Sequence, residues 1–187
     1  WFPVRQSLED KIDSVYQDYT CIDTEMVGTN GLLTDVVDNG DGTKTYLWKT
    51  NYPIAYYLMS FAVSEYMDYS IYAHPEEIAP DSILIQNFIY NDASCFNYNQ
   101  SNIDLSDEIM EVFSEKFGLY PFHEEKYGNC LTELGGGMEH QTMTTIGGFS
   151  FGLNAHEMGH QWYGDNITCA TWSDIFINEG FASYSEY

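Results

Sequence analysis

The chain has 187 residues, room for one substantial domain or a small domain plus part of another. Its 44% hydrophobic fraction, with 16 Tyr and 11 Phe, predicts a packed core rather than disorder. A formal net charge of -23, with six Lys and Arg in all and none after Lys126, speaks against nucleic acid or an anionic membrane surface as partner, because phosphate contacts need basic side chains. No apolar run reaches the roughly 18 residues of a membrane span, and no basic-then-apolar leader is present, so neither a span nor a signal peptide is expected in these residues.

Residues 1 to about 70 predict short strands. Runs at 31–37 and 43–48 flank Asp38-Asn39-Gly40-Asp41-Gly42, whose Asn-Gly and Asp-Gly pairs predict a hairpin turn. A calcium loop is disfavoured there, since Gly40 breaks the alternation of oxygen-bearing residues. The apolar run 54–63, behind Pro53, predicts a buried strand. Strands are expected at 69–73 and 83–90, then an irregular, aromatic-rich connection at 91–103, then a helix beginning near Asp104. On that helix Leu105, Ile109, Val112, Phe113 and Phe117 share a face, and Gly118 is placed to end it.

Residues 126–134 predict a strand, Gly135-Gly136-Gly137 a turn permitting close backbone approach, and 138–146 another strand. Asn154 is the expected N-cap of a helix carrying His156 and His160, with Gly164 as its stop. A second helix is expected from about Ser173 to the chain end, presenting Glu179. Cys21, Cys95, Cys130 and Cys169 are too widely spaced for a zinc knuckle or a redox pair, and disulfides and free thiols both remain open.

The chemistry concentrates in His156-Glu157-Met158-Gly159-His160 and in Glu179. Histidines four apart on a helix differ by roughly 40° in direction and about one turn in height, so both imidazoles reach one ion. With Glu179 they make a set of three protein ligands for a single zinc ion, leaving a fourth position for water whose pKa the ion lowers to about 7. Glu157, beside the first ligand, faces the open side as the general base.

These residues resemble the zinc aminopeptidases of the aminopeptidase N family, gluzincins with a thermolysin-like catalytic domain. The resemblance rests on the 18-residue gap between His160 and Glu179, on His160-Gln161-Trp162-Tyr163-Gly164-Asp165, on Asn178-Glu179-Gly180-Phe181-Ala182 and on Gly137-Met138-Glu139-His140. Weaker similarity runs through Trp1-Phe2-Pro3, Asp10-Lys11 and Tyr120-Pro121-Phe122. It implies an α+β fold on a partial chain: residues 1–69 as the end of an N-terminal β-sandwich or saddle domain, and 70–187 as the first half of a thermolysin-like catalytic domain. That half would combine a mixed sheet, the H-E-x-x-H helix and a second helix bearing Glu179.

By the same resemblance His156, His160 and Glu179 are the zinc ligands, Glu157 is the base, and Glu139 holds the free α-ammonium group of a peptide substrate. Gly136 and Gly137 would let the substrate backbone lie alongside. His140 stands where the family pattern has Asn, and the family's transition-state tyrosine lies beyond the second zinc helix, a role that Tyr184 and Tyr187 do not match. The implied activity is hydrolysis of N-terminal residues from peptides by a zinc-activated water. A thermolysin-like endopeptidase and a non-catalytic zinc-containing module are the alternatives. Few Lys, four Cys and a peptide-degrading role point to a secreted or periplasmic location.

Overall fold

A computed structural model describes residues 3–187; Trp1 and Phe2 lie outside it, so their part of the resemblance has no structural counterpart. Ten strands and four α-helices follow in order: β1 (Val15–Ile22), β2 (Met26–Thr29), β3 (Leu32–Asp38), β4 (Thr43–Thr50), β5 (Phe61–Ser64), β6 (Tyr66–Ala73), β7 (Ile83–Tyr90), α1 (Ala93–Ile103), α2 (Ser106–Phe117), β8 (Tyr127–Leu131), β9 (Gly137–Met138), β10 (Thr144–Ile146), α3 (Phe151–Gly159) and α4 (Phe176–Tyr184). The fold is α+β, as expected.

The amino-terminal part makes two small antiparallel sheets, β1-β4-β3 and β2-β5. The turn between β3 and β4 is the predicted hairpin, closed by Asn39 N donating to Thr43 O at 3.1 Å, with Gly40 and Gly42 at φ of 73° and 87°. The remainder builds a five-stranded mixed sheet, β6-β7-β8-β10-β9, in which β7, β8 and β10 run parallel while β6 and β9 are antiparallel edges. The position between residues 69 and 70 falls inside β6, which pairs with β7 along its whole length.

One face of the large sheet packs against α2 and α3 through Ile83, Ile85, Met110, Phe113, Tyr127, Met158 and Trp162. A second core joins the small sheets to the large one through Val27, Tyr46, Trp48, Phe88, Cys130 and Met143. Gly28 is the point of closest approach: a Cβ there would collide with Cys130 Sγ and crowd the Phe88 ring.

Several local expectations are corrected. The 54–63 run is not one strand: Ile54, Ala55 and Leu58 are buried as predicted, but Tyr56–Leu58 forms a 3-10 turn and the strand is confined to Phe61–Ser64. The 91–103 connection is helix α1, capped by the Asp92 carboxylate accepting from Cys95 N. Its Asn- and Ser-rich sequence has weak intrinsic helicity, and buried Ile103 and Asn99 anchor it instead. On α2 the buried face is Ile109, Met110 and Phe113, while Val112 is half exposed. The 138–146 segment splits into β9 and β10 around a turn at 140–143. The four thiols are free.

Candidate metal centre

The N-cap of helix α3 lies four residues earlier than expected. Ser150 is the N-cap, accepting from Leu153 N at 3.4 Å, while Asn154 lies inside the helix and donates to Asn102 O at 2.9 Å. His156 sits in the last turn, and His160 is the C-cap residue, still in helical conformation. The predicted pair of imidazoles on one face survives the shift, because the spacing and not the cap sets it. Gly159 faces Ser185 and Ala182, so the two helices meet where a side chain would have kept α4 away.

This contact brings Glu179 to the histidines. His156 Nε2 and His160 Nε2 are 3.2 Å apart, and Glu179 Oε2 lies 3.4 Å from the first and 3.5 Å from the second. Two ligand atoms at about 2.05 Å from a tetrahedral zinc ion are separated by about 3.3 Å, so the three atoms already form a triangle of the size such an ion requires. Among the described residues this is the one group of His, Cys, Asp and Glu side chains that could hold a metal.

The far nitrogens of both rings are engaged. His156 Nδ1 is 2.9 Å from Glu186 Oε1, and His160 Nδ1 is 3.2 Å from Tyr163 O. Each bond fixes the tautomer that leaves Nε2 unprotonated towards the metal. Glu186 was not anticipated; its position seven residues, or about two helical turns, beyond Glu179 is the periodicity that could have pointed to it.

Glu157 is buried and its Oε2 lacks a hydrogen-bond partner among the described residues. Burial pushes its carboxyl up to about 8, with the charges of Glu139 and Glu179 adding to the effect. A cation at the ligand triangle would oppose all three influences. Strand β9 crosses this carboxylate so closely that a Cβ at Gly137 would collide with Glu157 Oε1. An orphaned buried carboxylate oxygen, together with two neutral imidazoles and a carboxylate at the right separation, fits a zinc centre.

Glu139 follows β9 and is 7% exposed, in the same acidic neighbourhood. Among the described residues no strand pairs with the outer edge of β9. Gly136, at φ of 81°, turns the chain into β9, and its carbonyl is already taken by Gly147 N at 2.8 Å. His140 points elsewhere: its Nδ1 is 2.9 Å from Thr145 Oγ1, and burial lowers its pKa to about 4, leaving a neutral ring outside the ligand triangle.

Known proteins are similar to this chain in sequence and in fold. The peptidase family M1 domain matches residues 150–187, the stretch that holds α3 and α4. Leucine aminopeptidase 2 of Vanderwaltozyma polyspora is 29% identical over 169 residues, covering 84% of this chain and 24% of that protein. Aminopeptidase N of Bos taurus is 26% identical over 148 residues, covering 70% of this chain and 15% of its own length. The M1 zinc metallopeptidase of Deinococcus radiodurans superposes with a TM-score of 0.78 at 21% identity, over 92% of this chain and 39% of that one. The chain therefore spans a quarter or less of these two curated relatives and about two fifths of the solved structure. The candidate ligand triangle thus stands on the helix pair that the peptidase family M1 domain matches, and the chain is similar in sequence to M1 family aminopeptidases and in fold to M1 zinc metallopeptidases.

Proposed function

We propose that this chain carries the metal centre of a zinc-dependent aminopeptidase that removes N-terminal residues from peptides. The observation that carries the reading is the triangle of His156, His160 and Glu179 beside a buried, unpartnered Glu157 oxygen. Zinc held by three protein ligands lowers the pKa of bound water to about 7 and polarises a carbonyl oxygen. Glu157 Oε2 takes the proton of the attacking water and passes it to the departing amine. Gly137 leaves that carboxylate its place; Gly137→Ala is expected to displace it and lower kcat of the full-length protein by about 100-fold with zinc retained. An unchanged kcat would remove Gly137 from the account.

Glu139 supplies the selectivity. Its carboxylate, nearly enclosed, pairs with the α-ammonium group of the substrate, while the unpaired edge of β9 accepts the peptide backbone as an added strand. Among solved relatives, one M1 zinc metallopeptidase from Deinococcus radiodurans is described with a Tyr-Ser-Ala substrate, at a TM-score of 0.74 and 22% identity. The test is a free-amine aminoacyl amide against its N-acetylated counterpart, with full-length protein. The free amine is expected to be cleaved at least about 100-fold faster, the effect of leaving one buried charge unpaired. Comparable rates would favour a thermolysin-like endopeptidase.

For the 187 residues alone we propose metal binding with slow or no turnover. Glu179 is half exposed, and Tyr184 and Tyr187 stand in solvent with no side-chain bond to the ligands among the described residues. Robust single-turnover hydrolysis by these residues would overturn this. All the site side chains lie in 70–187, which supports reading that part as catalytic and 1–69 as an N-terminal β-domain. A secreted or periplasmic location accords with the scarcity of Lys, and cell fractionation would decide it.

A further inference from the structure

The turn that carries Glu139 is built in a way the ligand chemistry does not require. Thr142, three residues on, has φ of 62°, the sole positive value outside glycine among the described residues. A β-branched residue adopts that conformation only where its surroundings impose it. Thr142 is fully buried, and each of its polar groups is held. Its N donates to Gln161 Oε1 at 2.9 Å, its carbonyl accepts from Lys126 Nζ at 2.8 Å, and its Oγ1 accepts from Gly31 N at 2.8 Å. The preceding carbonyl, of Gln141, accepts from Asn30 Nδ2 at 2.6 Å.

Gln161 is the member of this set that reaches the metal centre. It directly follows the ligand His160 and is completely buried. Besides Thr142 N, its amide contacts Glu139 O at 3.4 Å through Nε2 and accepts from Tyr120 Oη at 3.4 Å. One side chain thus ties the backbone of the ligand helix to both ends of the Glu139 turn.

Substrate geometry makes that tie consequential. In an α-aminoacyl group the ammonium nitrogen and the reacting carbonyl carbon are about 2.5 Å apart, a distance fixed by two bonds and one angle. A site that grips one atom with Glu139 and presents the other to the metal must hold its own two parts to a small fraction of that length.

We propose that Gln161 is a positioning residue that sets the separation between Glu139 and the metal ligands, and through it the preference for a free N-terminus. This rests on the aminopeptidase reading above. Gln161→Met in the full-length protein keeps the side chain's length and removes both bonds to the Glu139 turn along with the one from Tyr120 Oη. The ratio of kcat/KM for the free-amine over the N-acetylated amide is expected to fall by about 10- to 100-fold, chiefly through a higher KM for the free amine, with zinc at the wild-type stoichiometry. Gln161→Asn, polar but too short to reach either partner, is expected to show the same split and serves if the Met variant does not fold. A wild-type ratio in either folded, zinc-loaded variant overturns the proposal. Glu139→Gln runs alongside: if it leaves the ratio unchanged, the aminopeptidase reading itself fails, whereas a lowered ratio in Glu139→Gln with none in the Gln161 variants sinks only the positioning role.

Discussion

Replacing Glu157 by Gln is expected to lower kcat of the full-length protein by about 10²- to 10⁴-fold while zinc remains bound, because the substitution removes a proton acceptor and keeps the shape. None of the three ligand atoms belongs to Glu157, so metal analysis should give the same content as the wild type. Loss of zinc would mean that the carboxylate supports the site structurally, and a kcat within a few fold of wild type would end its assignment as base. A second readout follows from its displaced pKa. In the metal-free protein Glu157 titrates near 8, above its ordinary value of 4.5. Between those values the folded state keeps a proton that the unfolded state has released, so this group's contribution to stability declines as pH rises through that window. Gln does not titrate. The metal-free Glu157→Gln variant should therefore gain Tm over the metal-free wild type, and the gain should widen from pH 5 to pH 7.5. A constant difference would show that burial at this carboxylate has been misjudged.

His160→Ala is expected to abolish stoichiometric zinc binding, and hydrolysis with it. His160 is 1% exposed and supplies one of the three atoms of the only candidate metal group among the described residues. Two ligands, one of them the half-exposed Glu179, would remain. Glu186→Gln provides the contrast, since it leaves all three ligands and alters only the partner of His156 Nδ1. Loss of such a partner costs about 10- to 100-fold in metal affinity. A competition titration with a chelator separates the two outcomes. Retention of a full zinc equivalent by His160→Ala would refute the ligand triangle.

The parts of this molecule legible in the sequence are those fixed by short-range periodicity. The i, i+4 histidines, the strand begun at residue 43 and the Asn-Gly turn each follow from local geometry and stand where expected, and the strand expected at 69–73 lies within the longer β6. What the sequence concealed depends on distant partners. Helix α1 has few strong helix formers and forms because Ile103 and Asn99 find buried places. The α3 cap is Ser150, while Asn154 lies inside the helix and donates to Asn102 O on α1. Nothing local marks Thr142 as left-handed; its conformation is imposed by Gly31, Lys126 and Gln161, which lie up to 111 residues away. Glu179 was legible as a candidate ligand, whereas the role of Gly159 in letting its helix approach was not.

Lys126 carries a consequence for how the protein can be dissected. Its ammonium group, wholly enclosed, donates to Thr29 O at 3.2 Å and Thr142 O at 2.8 Å and lies 5.5 Å from the centre of the Trp48 ring. Two of those three neighbours come from the amino-terminal sheets. A minimal catalytic fragment begun at residue 70 would retain every metal ligand and the base, yet it would leave this cation stripped of most of its coordination and facing water. The amino-terminal sheets thus brace the turn that carries Glu139, and a protein trimmed to its candidate zinc helices would keep the ligand triangle while losing that brace.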